Sequence, residues 1–113
     1  MSNFETAQEQ FKADLGLFLL NVQTVRVVDA AAFEKVDREA AELARTLKGQ
    51  SLVPKSLLNE LRSAIKVLRA EAPYMGGGRN DLVRMADKLE MTFDLILIGE
   101  TPEDRVPGVP RIV

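Results

Sequence analysis

Residues 4–25 read FETAQEQFKADLGLFLLNVQTV. Phe4, Phe11, Leu15, Phe18, Val22 and Val25 step along this stretch by seven, four, three, four and three. One face of an α-helix needs that spacing, and a half-buried strand would need strict alternation. Ser2 and Glu5 have the S-x-x-E spacing of a capping box, which starts the helix. Within the stretch, Leu15 to Val25 is a run of eleven residues without a charged side chain. A membrane helix needs roughly 20 such residues. The run therefore predicts a water-exposed protein that carries more apolar surface than one helix face requires.

Three further helices follow by the same reasoning. Asp29 is placed to cap a second, with Phe33, Val36, Ala40, Leu43 and Leu47 as its stripe and Gly49 as its stop. Pro54 suits the first position of a third, which carries Leu57, Leu61, Ala64, Ile65 and Leu68 and ends before Pro73. Residues 73–78, PYMGGG, form the clearest loop. Asn80 is a cap for a fourth helix, striped by Leu82, Met85, Leu89, Phe93 and Ile96 and ended by Gly99. Thr101-Pro102-Glu103-Asp104 predicts one more helical turn, and Pro107 and Pro110 predict an extended tail over 106–113. Val22–Val28 and Leu95–Ile98 are rich in β-favouring residues, and strands there are the competing reading. The expected fold is all-α: a small antiparallel bundle of about four helices in a single domain, residues 1–113. Residues 1–99 form the bundle, and residues 100–113 a short turn with an extended, proline-containing tail.

The composition excludes more chemistry than it suggests. The chain has 113 residues, 15 basic and 17 acidic, for a net charge of −2. It holds no His, no Cys and no Trp. Without Cys there are no disulfides, thiolate zinc sites or cysteine nucleophiles. Without His there is neither the usual base near neutral pH nor the commonest metal ligand. Catalysis would have to use carboxylates, Lys, Tyr or a bound cofactor, and no cofactor motif is present. A net negative charge argues against nucleic acid as a partner. The polar opening MSNFE is not a signal peptide, so the expected location is cytoplasmic.

The surplus of apolar residues is the main functional cue. Leu17, Leu20, Val27 and Val28 lie off the inner stripe of the first helix, which is read here as continuing to Val28. Leu95, Leu97 and Ile98 belong to four consecutive apolar residues that cover every direction of a turn. Val109 and Ile112 of the tail belong to the same set. Two covers are open: the tail folding back through Val106, Val109, Ile112 and Val113, or a second subunit. Gly16, inside the surplus region, marks a close helix approach, a bend, or nothing special. The expected function is a non-enzymatic helical protein–protein interaction module that self-associates as a homodimer or higher oligomer. Its role would be of an adaptor, regulatory or inhibitor kind.

Other features have simpler readings. Gly77, Gly78 and Arg79 lead into a helix start and form a weak anion-binding candidate, though three glycines there usually make a connector. Lys55, Arg62, Lys66 and Arg69 fall within about 60° on the third helix. Asp87, Glu90 and Asp94 cluster on the fourth, so mutual ion pairing between the two stripes is the plain outcome. Tyr74, the only tyrosine, is a partner contact or a core-end cap.

Glu39-Ala40-Ala41-Glu42 and Glu60-Leu61-Arg62-Ser63 resemble the all-α nucleotide pyrophosphohydrolases of the MazG-like group. In that family an E-x-x-E pair and an E-x-x-D pair on successive helices hold Mg²⁺. The resemblance implies Glu39, Glu42 and Glu60 as metal ligands in a degenerate Mg-dependent enzyme. It departs from the pattern at Ser63, where the family has Asp. That enzyme is the alternative function. Without it the expectation is no metal and no catalytic residue.

Overall fold

The computed structural model describes residues 3–104. Four α-helices carry the fold: α1 (Asn3–Thr24), α2 (Ala30–Thr46), α3 (Lys55–Glu71) and α4 (Arg79–Ile98). Single 3-10 turns at Ala72–Tyr74, Gly76–Gly78 and Pro102–Asp104 connect or follow them. The bundle is all-α as expected, with no strand among the described residues. The Ser2 cap and the tail residues Val106, Val109, Ile112 and Val113 lie outside the described residues.

Local chemistry sets most of the boundaries. The Asp29 carboxylate accepts the Ala32 N–H at 3.0 Å and so caps α2. Gly99 adopts φ 73°, and the Glu100 N–H reaches back to the Leu95 carbonyl at 2.9 Å, closing α4 with a Schellman turn. Three expectations need correction. The first helix stops at Thr24, not Val28, because Arg26 takes the left-handed conformation (φ 57°) and the N–H groups of Val25 and Val27 both turn back to the Asn21 carbonyl. Pro54 is the residue before α3 and not its first. Asn80 lies inside α4, which starts from Gly78 without a side-chain cap.

Pairs of residues at the helix ends give the arrangement. Consecutive helices are antiparallel, as expected. Phe18 meets Phe33 with ring centroids 5.5 Å apart, and Arg69 of α3 binds Asp87 and Glu90 of α4. The two hairpins then lie side by side. Gln8 donates to Ser56 at 2.8 Å near the starts of α1 and α3, and Arg26 pairs with Glu71 near their ends. The Gly49 N–H donates to the Gly99 carbonyl at 3.2 Å, joining the ends of α2 and α4. Each helix therefore has one antiparallel and one parallel neighbour. The corners run α1, α2, α4, α3, and the connector over 47–54 crosses a diagonal.

The inner stripes named from the sequence form the core, except at Val25, which is exposed in the connector after α1. Phe11, Leu15, Phe18 and Val22 meet Phe33, Val36, Leu57, Leu61, Leu68, Leu82 and Leu89, all buried. The predicted turn at 101–104 is present. Thr101 is buried, and its N–H and hydroxyl both bond Asp104. The turn is clipped to the end of α2 by Arg45, bidentate on Glu103 at 2.6 and 3.1 Å, and by Lys48 on Asp104 at 2.8 Å.

Candidate interaction surface

The inner stripe of α1 faces the core, so the residues between its members must face out. Ala13, Gly16, Leu17, Leu20 and Thr24 share that outer face. Leu17 is 62% exposed and Leu20 52%. With Glu9 and Lys12 they line a shallow depression floored at Gly16. From residue 13 onward this face carries no charge, whereas the other bundle helices show water charged residues. Scattered exposed leucines are ordinary. A charge-free stretch on an outward helix face is less so.

The other predicted surface residues separate from this face. Leu95 is fully buried and so presents no surface, although it lies outside the core cluster that Ile96 joins. Leu97 and Ile98 are about half exposed, but α4 stands at the corner diagonal to α1, so they belong to another side of the molecule. Val27 is exposed in the connector after α1, beside exposed Val25. Val28 is half-buried, packed on the core next to the glycine turn. Val109 and Ile112 lie outside the described residues.

That packing also explains one glycine. A Cβ on Gly78 would come within 3.2 Å of Val28 Cγ2, so the connector presses against the start of α4 there. The N–H groups of Gly78 and Arg79 are already donated to the Met75 and Gly76 carbonyls. Two of the amides that an anion would need are therefore used internally, and Gly77, Gly78 and Arg79 read as a packed connector. Tyr74 is exposed beside it and caps no core.

The carboxylates do not assemble as the enzyme resemblance requires. α2 and α3 occupy opposite corners, so Glu39 and Glu42 are separated from Glu60. Glu42 pairs with Arg45. Glu60 faces Lys12 and Glu9 of α1. No group of three or more acidic residues among the described residues is placed to hold a metal ion. Asp87 and Glu90 are engaged by Arg69, the ion pairing expected of the facing stripes.

Glu39 instead meets Asp14 across the α1–α2 seam, an encounter that the sequence did not signal. Gln10 donates to both Asp14 oxygens at 3.1 Å, and Lys35 stands 3.4 Å away. The Gln10 amide, then its other neighbours, hold Asp14 below the usual carboxylate range. Partial burial and the adjacent Asp14 push Glu39 up to about 7. Glu39 Oε1 is shielded from water with no donor in reach, a situation that a proton on the pair relieves.

The linkage has a definite sign. Glu39 titrates near 4.5 unfolded and about 7 folded, so its stabilising contribution is complete below pH 4.5 and is lost as the pH rises through 7. Asp104, held at about 2 by Lys48 and the Thr101 bonds, acts oppositely: its contribution is present above pH 4 and lost in acid. Glu39→Gln should therefore flatten the fall in thermal midpoint between pH 5 and pH 7.5 while leaving the acid limb intact. Midpoints measured across that range by circular dichroism check this, and parallel curves for the two proteins would contradict it.

Comparison with protein-family models, curated proteins and solved structures finds no match for this chain. No helix among the described residues is long and apolar enough to cross a membrane.

Proposed function

We propose that this chain is a non-enzymatic helical interaction module that associates with itself through the outer face of α1, in an adaptor, regulatory or inhibitor-like role. A cytoplasmic setting, which a cysteine-free chain suits, is part of the proposal. The supporting observation is the half-exposed Leu17 and Leu20 on a helix face that lacks charge from Ala13 to Thr24. Hydrophobic area drives such association, and flanking charges select its geometry.

The magnitude favours a weak contact. Completing the burial of a half-exposed leucine contributes about 1 kcal/mol, so four leucines across a two-fold interface give roughly 4 kcal/mol. Loss of rigid-body freedom opposes this. Stable interfaces bury about 800 Å² per partner, and one face of three helical turns offers less. The dimer should therefore dissociate readily on dilution, with a Kd of roughly 1 mM or weaker. Light scattering over a concentration series should show a mass rising from 12.5 kDa towards twice that value. A mass fixed at 12.5 kDa up to the highest concentration would refute self-association.

A further inference from the structure

We propose that α2 carries a binding site for a small zwitterion with an apolar body, whose cationic end pairs with Asp37 and whose anionic end pairs with Arg38. The site is separate from the outer face of α1 and does not rest on self-association.

A cavity of about 840 Å³ lies over the outer side of α2, between Ala7 of α1 and Met91 of α4. Cavities that take small ligands run from roughly 300 to 1,000 Å³. The turn that begins at Pro102 borders it at the Arg45 end. The Arg45–Glu103 and Lys48–Asp104 pairs hold that turn in place, so this end of the cavity is fixed by the fold.

Six charged residues line the cavity, three of each sign. Four of them are already engaged. Lys35 and Glu39 both meet Asp14, and Arg45 holds Glu42 as well as Glu103. Asp37 and Arg38 remain. Neither has a hydrogen bond or an ion pair among the described residues, and Lys88 and Glu39 act on them only through space. One group of each sign is therefore left to face the same cavity.

Asp37 is not an ordinary solvated carboxylate. It is half-buried, and burial pushes its carboxyl above the usual range, with the Lys88 charge opposing. A carboxylate drawn from water without a donor is costly, and a ligand ammonium would supply the donor. Asp37 and Ala41, four residues apart, share the flank of α2 beside Met91 and Thr92, so apolar groups adjoin the carboxylate. Arg38 is exposed, about 100° further round the helix, and offers a carboxylate its fork of N–H donors. From helix dimensions the two charged groups stand at most about 10 Å apart, a span that about five methylenes bridge.

ε-Aminocaproate, with five methylenes between ammonium and carboxylate, is the probe. Hexylamine and hexanoate, each with one charge, are its controls. In NMR titrations ε-aminocaproate should shift the Ala41 amide and the Met91 methyl saturably, with a Kd of roughly 1 mM, at least about fivefold tighter than either control. Asp37→Asn should weaken its binding at least about tenfold. Arg38→Gln should reduce it to the level of hexylamine and leave hexylamine unchanged. Asp94→Asn, at an exposed carboxylate outside the cavity, should bind as the wild type does. Circular dichroism checks that each variant keeps its helix content. No saturable shift up to about 20 mM ε-aminocaproate would overturn the site. Hexylamine binding as tightly as ε-aminocaproate would overturn the zwitterion, and full binding by Asp37→Asn would overturn the assignment of its cationic end. Light scattering decides self-association separately, so the two readings can fail independently.

Discussion

Phe18→Ala should lower stability by about 3 to 5 kcal/mol, the range for emptying a buried aromatic site. Phe18 is 1% exposed, and its ring lies tilted at 53° against Phe33. The pair spans the α1–α2 seam inside the common core, so truncation removes contacts from both helices of the first hairpin. A domain of this size is typically stable by about 5 to 15 kcal/mol, so the loss is a large share of the total. Urea unfolding should show a lower midpoint with an unchanged slope, since the same surface is exposed in both proteins. A loss under about 1 kcal/mol would mean that the seam is loosely packed around Phe18.

The second large effect concerns association. The double variant Leu17→Asp, Leu20→Asp should be monomeric at every concentration where the wild type dimerises, with the apparent Kd raised at least about a hundredfold. The four buried carboxylates would have no partner, and their desolvation would outweigh the apolar gain. The fold should survive, because both side chains already face water and surface changes of this kind alter stability by about 0.5 kcal/mol. Leu97→Asp, exposed on the diagonal helix, is the matched control and should dimerise normally. Leu95→Asp should instead unfold the chain, because Leu95 is fully buried. If the double variant unfolds, the outer face of α1 is core. If it dimerises like the wild type, the contact lies elsewhere.

Much of the fold was legible because each helix carries one clean stripe. Val36, Ala40 and Leu43, or Leu57, Leu61 and Leu68, admit only one inward face, and all six are buried. Asp29 and Gly99 were legible because capping depends on neighbours within a few residues. The misreadings have identifiable causes. Val25 continues the apolar phase of α1, so periodicity carried the helix past its end, and no sequence signal marked Arg26 as left-handed. Leu95 to Ile98 are all apolar, so the pattern had no phase to separate buried Leu95 from exposed Leu97. The carboxylates failed for a tertiary reason. Glu39, Glu42 and Glu60 can share a site only if α2 and α3 are neighbours, and the corner order separates them. The same order brings Asp14 to Glu39, which lie 25 positions apart with no motif between them.

The diagonal connector has a consequence for how the chain is divided. Each hairpin is closed by its own short link, at 25–29 and at 72–78, while the segment over 47–54 keeps the two on one thread and is itself seated by buried Leu47, part-buried Val53 and the Gly49–Gly99 bond. Leu52 projects from that thread with 86% of its surface in water. The lateral ties between hairpins, Gln8 to Ser56, Arg26 to Glu71 and Gly49 to Gly99, would all survive a cut at residues 51–52. The molecule is therefore organised as two parts, residues 1–51 and 52–113. Severing the backbone there would turn an intramolecular docking into an encounter between fragments and change its concentration dependence, while each half kept its complement of partners.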